Sequence, residues 1–517
     1  MPSFDTIVIG AGPNGLAAAH RLASRGGRVL VLERGTTPGG GAAGAEFAPG
    51  FAAMPLAHLS YNLDARVARA MDLPRHGLRW ANANLATTAL SATGAHLRLE
   101  GPLGLTLTGE VSDRDRAAWA ALRARLLRFA GVLAPLREMT PPRLAEGVGN
   151  PMAQLAKIAL RARMMGADEF RELGRIFLTN VHDLLDDELE TPLLKGALAL
   201  DATLGIWLGP RSPNSVLPWL DRLAGTTDGA QAALGLPMGG MAALGAAMAR
   251  AAEAAGATIR CNAAVAQILT DGDTVQGLRL ADGEELHAAR IVSSLAPQTT
   301  LLSLVGARHL DAGQTTRARH LKTRGGAAKL HLALSAAPDF RGASLGDRLL
   351  IAGSEHAVEH AFNPAKYGRT PETPVMEIVI PTVHDPALAP AGQHILSAIV
   401  QYAPPAPADP DAARTAMLDA SLRVLEDHAP GIGALILKAE MLMPHDIEAR
   451  CGLPGGNWHA GELSVEQMLF LRPLPGLSQY QGPLKGLWLA SAGCHPGGGV
   501  SGTAGWNAAL AMERAGK

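Results

Sequence analysis

Phe4-Asp5-Thr6-Ile7-Val8-Ile9-Gly10-Ala11-Gly12-Pro13-Asn14-Gly15 decides the fold of this chain. An apolar run leads into a glycine-rich turn, an Ala-rich segment follows from Leu16 to Ser24, and Val29 to Leu32 is apolar again. The order reads as buried parallel strand, helix and second strand, the start of a βαβ unit. Gly10 permits the tight turn, Gly12 lets the backbone approach a pyrophosphate, and Gly15 lets helix and strand pack closely. The helix start supplies free N–H groups and the positive end of a dipole. Glu33 ends the second strand, about 20 residues on, where a carboxylate accepts hydrogen bonds from ribose hydroxyls. Together these residues predict a dinucleotide site.

Composition sets the frame around that site. The chain has 517 residues, about three times a typical domain length, so two interleaved domains are expected. Lys plus Arg (46) nearly cancels Asp plus Glu (47), which excludes the basic footprint of a nucleic-acid binder. Cys261, Cys451 and Cys494 form no CxxC, so neither a disulfide framework nor a local redox dithiol is expected. The absence of a leader-like stretch before the first strand and of any bilayer-length apolar run predicts a cytoplasmic protein.

Beyond the first unit, Arg34 to Gly50 is dense in Gly, Ala and Pro and reads as a loop folded over a ligand. Met71 to Thr226 reads as largely helical, with apolar residues at helical spacing in Ala117 to Phe129 and Met152 to Met165. Gly239 to Gly256 reads as a helix. Short strands follow at Thr258 to Arg260, Ala264 to Thr270, Thr274 to Leu280 and Glu285 to Ala288, with hairpin turns at Asp271-Gly272-Asp273 and Asp282-Gly283. Arg290 to Ser294 reads as a strand returning to the first sheet, and Asp411 to His428 as a helix. Gly486 to Ala492, a Gly-rich turn and a helix from Ser501 to Ala515 end the chain. The resulting class is α/β: a Rossmann-type nucleotide domain (1–75, 226–310 and 478–517) interleaved with a substrate domain of mixed sheet plus helices (76–225 and 311–477).

Only one strand-bounded fingerprint is present, which gives one dinucleotide site. The C-terminal turn Gly493-Cys494-His495-Pro496-Gly497-Gly498-Gly499-Val500-Ser501-Gly502 favours FAD over NAD. Such a strand-to-helix turn can aim N–H groups and a helix dipole at the N1/C2=O edge of a flavin, where negative charge develops on reduction.

These motifs, with Gly39-Gly40-Gly41, Pro237-Met238-Gly239-Gly240-Met241, Gly461-Glu462-Leu463-Ser464 and Leu471-Arg472-Pro473-Leu474-Pro475-Gly476, resemble the phytoene-desaturase-like flavoproteins nearly end to end. The branch that it most resembles is the pyridine nucleotide-disulfide oxidoreductase domain-containing protein 2 type. The resemblance implies a two-domain fold as in amine oxidases and FAD contacts at Gly10, Gly12, Gly15, Glu33 and Gly40. It also implies adenine at the Val265 backbone and flavin-end contacts at Gly493, Gly499 and Val500. Two departures stand out. The double-glycine motif usually continues into Arg, where this chain has Gly41-Ala42, and the branch's name promises disulfide chemistry for which no CxxC is present.

A flavin dehydrogenase needs a substrate C–H held over N5, exclusion of water and sometimes one base. His495 lies inside the flavin turn, against the ring or capping the helix. His459 matches a family position in the substrate domain, and His58 and Tyr61 flank a segment expected to line the pocket. His356-Ala357-Val358-Glu359-His360 matches H-x-x-E-H, but no third ligand can be named, so it reads as a solvated helix face with no metal. The basic stretch Met152 to Met165 suits either core packing or a peripheral rest on anionic lipid. The preferred reading is hydride transfer at flavin N5 with an apolar, polyene- or isoprenoid-like small molecule, as desaturase, saturase or isomerase. The alternatives are an amine-oxidase-like enzyme, disfavoured by 4% aromatic residues, and a flavin-containing scaffold or regulator with little turnover.

Overall fold

Four apolar residues suffice for a strand when both its faces are covered. Thr6–Ile9 and Val29–Leu32 are buried throughout. In the computed structural model, which describes residues 4–142 and 150–516 with only the backbone for 150–154, they lie in a five-stranded sheet. Its order is Thr258–Arg260, Val29–Leu32, Thr6–Ile9, Arg290–Ser293 and Leu487–Leu489, and every neighbour is parallel.

Parallel strands send their following helices off the same edge. Pro13–Ala23 follows the strand Thr6–Ile9, and Thr503–Ala515 follows Leu487–Leu489 after the Gly-rich turn. Both helix starts therefore sit at the C-terminal edge, where open α/β sheets bind their ligands. The two helices touch so closely that a Cβ on Gly505 would lie 1.7 Å from the Asn14 carbonyl oxygen. A three-stranded antiparallel sheet of Val265–Asp271, Thr274–Leu280 and Glu285–His287 carries the two hairpins expected from the sequence.

The second large sheet has eight strands, in the order Ile436–Leu442, Ala327–Leu334, His394–Gln401, Val375–Val379, Arg348–Ile351, Thr87–Ala89, Leu97–Glu100 and Thr106–Gly109. Its pairs are antiparallel except Arg348–Ile351 with Thr87–Ala89. The last three strands correct the expectation of a largely helical 71–226. Each is three or four residues long, too short to show a period, and Thr87–Ala89 is held by a partner that starts at Arg348. The stretch 34–50 is likewise not all loop: Gly40–Ala42 forms a turn of 3₁₀ helix, and Ala45–Ala48 pairs with Phe51–Ala53.

Candidate active site

At the first helix, Leu16 N–H makes the first intrahelical bond, to Gly12 O at 2.9 Å. The N–H groups ahead of it are left for a ligand. Gly10 has φ +90°, and a Cβ on Gly15 would lie 2.0 Å from the Gly10 carbonyl oxygen, so neither position takes a side chain. The Gly39–Gly41 loop folds over this turn. Gly39 N–H donates to Ala11 O at 2.9 Å, and a Cβ on Gly40 would stand 2.8 Å from Gly12 Cα. Glu33 accepts from Ala11 N–H at 2.9 Å and from Gly35 N–H at 2.8 Å. A carboxylate offers about four acceptor sites, so two bonds leave room for ribose hydroxyls. Ala263 N–H donates to Glu33 O at 2.8 Å, which brings the start of the Val265–Asp271 strand to the same place.

The C-terminal turn gathers residues from three distant segments. Gly499 has φ +104°, and a Cβ there would lie 2.5 Å from the Asn62 side chain, whose Nδ2 donates to Gly498 O at 3.2 Å. A Cβ on Gly498 would lie 2.5 Å from His459 Nδ1. The Trp458 indole donates to His459 Nε2 at 3.1 Å, so the ring proton sits on Nδ1, facing the turn without a partner among the described residues. Burial pushes the His459 imidazole down to about 3. The buried Arg472 guanidinium fixes this wall by donating to the carbonyls of His459, Gly461, Glu462, Gln467 and Ala492. His495 does not cap the helix. Its Nε2 donates to Leu136 O at 2.6 Å, and burial holds the ring neutral, down to about 4. Gly493 lies against Pro297, where a Cβ would come within 2.3 Å, and Val500 is half-buried against the nucleotide-side core.

His58 belongs to a buried ionisable chain that the sequence did not disclose. Lys329, Ile399, Glu377 and Leu350 stand opposite one another across four neighbouring strands, so their side chains share one face. Glu377 can only accept, so His58 Nε2 donates to it at 2.8 Å, and Nδ1 then accepts from Lys329 Nζ at 2.8 Å. Arg348 links Glu377 to Asp201, which also takes the Trp219 indole at 2.9 Å and the Arg222 guanidinium. Burial drives the Lys329 ammonium down to about 7, against the pull of Glu377, and drives His58 down to about 4. Burial alone would raise Glu377, but the Arg348 guanidinium and His58 hold it well below the usual carboxylate range. The low-polarity surroundings of Tyr61 push its phenol to about 12. His58 and Asn62 are four residues apart, a reach of roughly 13–14 Å at most, so one short segment ties Lys329 to the glycine turn.

The chain matches the family model described as FAD dependent oxidoreductase over residues 5–461. It belongs to that family. It is 31% identical over 547 aligned residues to pyridine nucleotide-disulfide oxidoreductase domain-containing protein 2 of Rattus norvegicus, covering 99% of this chain and 94% of the relative. It is 29% identical to a phytoene desaturase (neurosporene-forming) of Cereibacter sphaeroides, over 52% of this chain and 51% of that one. Cyclohexylamine oxidase of Brevibacterium oxydans shares the fold, with a TM-score of 0.59 at 16% identity over 100% of both chains.

As an FAD-dependent oxidoreductase the chain offers a fitting cradle: a turn whose Gly10, Gly12 and Gly15 carry no side chain, an acidic group with open acceptor sites, and a second helix start on the same edge. Ala42, buried where an Arg usually follows the double glycine, gives no cationic contact there. The H-x-x-E-H segment is helical within Glu355–Ala365, yet His356 does not act with His360. It meets His182 and Glu355, with one ligand atom of each lying within 4.8 Å of the others. Lys195 Nζ already stands 2.9 Å from Glu355, and Arg211 donates to both imidazoles. These cations make the group an ion-pair cluster beside a helix face on which His356 and His360 are exposed to solvent. In Met152 to Met165, the side chains of Met152 to Gln154 lie outside the described residues, and Ala162 is buried while Leu160 and Met164 are exposed.

Proposed function

We propose that this enzyme transfers hydride between flavin N5 and an apolar, unsaturated, polyene- or isoprenoid-like molecule, as a desaturase, saturase or isomerase. Residues 1–75, 226–310 and 478–517 hold FAD; 76–225 and 311–477 shape the substrate side. Gly10, Gly12, Gly15 and Gly40 take the pyrophosphate, Glu33 the ribose and the Val265 backbone the adenine. Gly493, Gly499 and Val500 meet the flavin, with His459 and Asn62 behind them. Bound FAD supplies a two-electron acceptor for hydride.

Lys329 carries the reading. Dehydrogenating a C–C bond releases a proton as well as a hydride, and a buried lysine lowered to about 7 is suited to take it or return it. His58 and Glu377 orient its amine. The phytoene desaturase relative supports the substrate class. An amine cage is not supported by the ring contacts among the described residues: the turn has Trp458 against His459, while Trp207–Phe362 and Phe362–Tyr402 lie on the helical side. The test is anaerobic: detergent-dispersed polyenes and terpenes should bleach or reoxidise the flavin bands, and small amines should leave them unchanged. Bleaching by amines alone would replace this reading with amine oxidation.

A further inference from the structure

Large apolar side chains rarely stand exposed together unless something covers them. Two consecutive helices, Asn150–Met164 and Ala167–Leu178, carry four: Leu160 is 58% exposed, Met164 76%, Phe170 43% and Leu178 67%. Their opposite sides are anchored, because Ala162, Leu173 and Ile176 are buried in the helical core. The exposed residues of the first helix follow its turn, Lys157, Leu160, Arg161 and Met164, with Arg163 beside them.

The charges around these side chains have a sign. Lys157, Arg161 and Arg163 have no ion pair among the described residues. The acids on the second helix are already taken: Asp168 pairs with Arg171, Glu169 with Arg128 and Glu172 with Arg175. The open charge of the surface is therefore positive, and it interleaves with hydrocarbon.

We infer that this two-helix surface docks the enzyme on an anionic lipid bilayer. Leu160, Met164, Phe170 and Leu178 enter the boundary between headgroups and acyl chains, while Lys157, Arg161 and Arg163 meet lipid phosphates. The contact is peripheral, since no helix among the described residues is long and apolar enough to cross a membrane. An acidic protein surface would satisfy the cations but would leave unexplained the exposure of Met164 at 76% and Leu178 at 67%. The inference rests on the proposed apolar substrate, which partitions into lipid and must be collected there.

The test is cosedimentation of the FAD-loaded protein with sucrose-loaded vesicles, read without turnover so that it is independent of the substrate assignment. Vesicles of phosphatidylcholine with about 30% phosphatidylglycerol should bind the protein, and pure phosphatidylcholine should bind it at least tenfold less. R161E/R163E reverses two of the three cations that meet lipid phosphate, so it should weaken binding to the anionic vesicles at least tenfold. L160S/M164S should weaken it at low and at high salt. R317E/R319E, an equal charge change on the distant helix Ala312–Arg319, should bind as wild type, and unchanged flavin absorbance reports that each variant is folded. Equal binding to neutral vesicles, equal loss in R317E/R319E, or no binding to either vesicle overturns the inference. In the last case, a continued flavin response to detergent-dispersed polyenes would leave the proposed function standing and make an acidic protein the occupant to test.

Discussion

An ammonium group without water is costly, and Lys329 meets that penalty by titrating near neutrality between His58 and the protein interior. Its folded value of about 7 lies below the ordinary 10.5 of a lysine. The unfolded chain therefore binds more protons between these values, and this group's share of stability increases as pH rises from 7 towards 10. Lys329→Met should remove that rise and abolish the limb near pH 7 in the rate of flavin reduction. The rate should fall about 10²–10⁴-fold while FAD content is kept. Stopped-flow reduction across pH checks both. Glu33→Ala should weaken FAD by roughly 10- to 150-fold, from a lost charged hydrogen bond of about 1.5–3 kcal/mol. Because Glu33 also pins Ala11 and Gly35, Glu33→Gln should recover part of the affinity, and FMN, lacking that ribose, should not distinguish the variants. Fluorescence titration reads all three. At this scale the glycines and Glu33 were legible because nucleotide chemistry dictates them. Lys329, Glu377 and Arg348 were not, although the signal was present: each interrupts or abuts an apolar strand, as in Ala327–Leu334 and Val375–Val379. Only the register shows that they meet.

The C-terminal helix Thr503–Ala515 is the element whose placement matters most to the proposed function, in which its first turn faces the flavin edge. A carboxylate near that start should lower the flavin potential by opposing the dipole. Gly499 cannot carry it, because φ +104° and the contact with Asn62 would disturb the turn itself. Val500→Asp should lower the potential by about 6–40 mV, the equivalent of about 0.3–2 kcal/mol in a two-electron couple. Ser24→Asp, exposed at the far end of the first helix, should leave the potential unchanged. Redox titration of both separates an electrostatic effect from a general one. Elements were legible where pattern and punctuation coincide: Val29–Leu32, Thr274–Leu280 and the hairpin turns were read almost to the residue. The strand Thr87–Ala89 was hidden because its partner starts at Arg348, and local pattern carries no information about a pairing of that range; Leu97–Glu100 and Thr106–Gly109 pair locally but are too short to show a period.

Across the whole molecule, the five-stranded sheet supplies the nucleotide edge and the eight-stranded sheet supplies the titrating wall. Residues His58 to Asn62 join them, and in the proposed function cofactor and proton acceptor share one site. The two-layer α/β class was legible end to end because glycine turns recur at the start, middle and end of the chain; the identity of the wall was not, because it depends on tertiary pairing. In the proposed function a single FAD faces an apolar unsaturated molecule. The most direct measurement is to denature the purified protein, extract it with organic solvent and identify what is released by mass. The extract should contain about one non-covalent FAD per chain together with an unsaturated, lipid-soluble compound. Release of NAD without flavin, or of FAD with a small polar amine in place of an apolar compound, would contradict the proposed function.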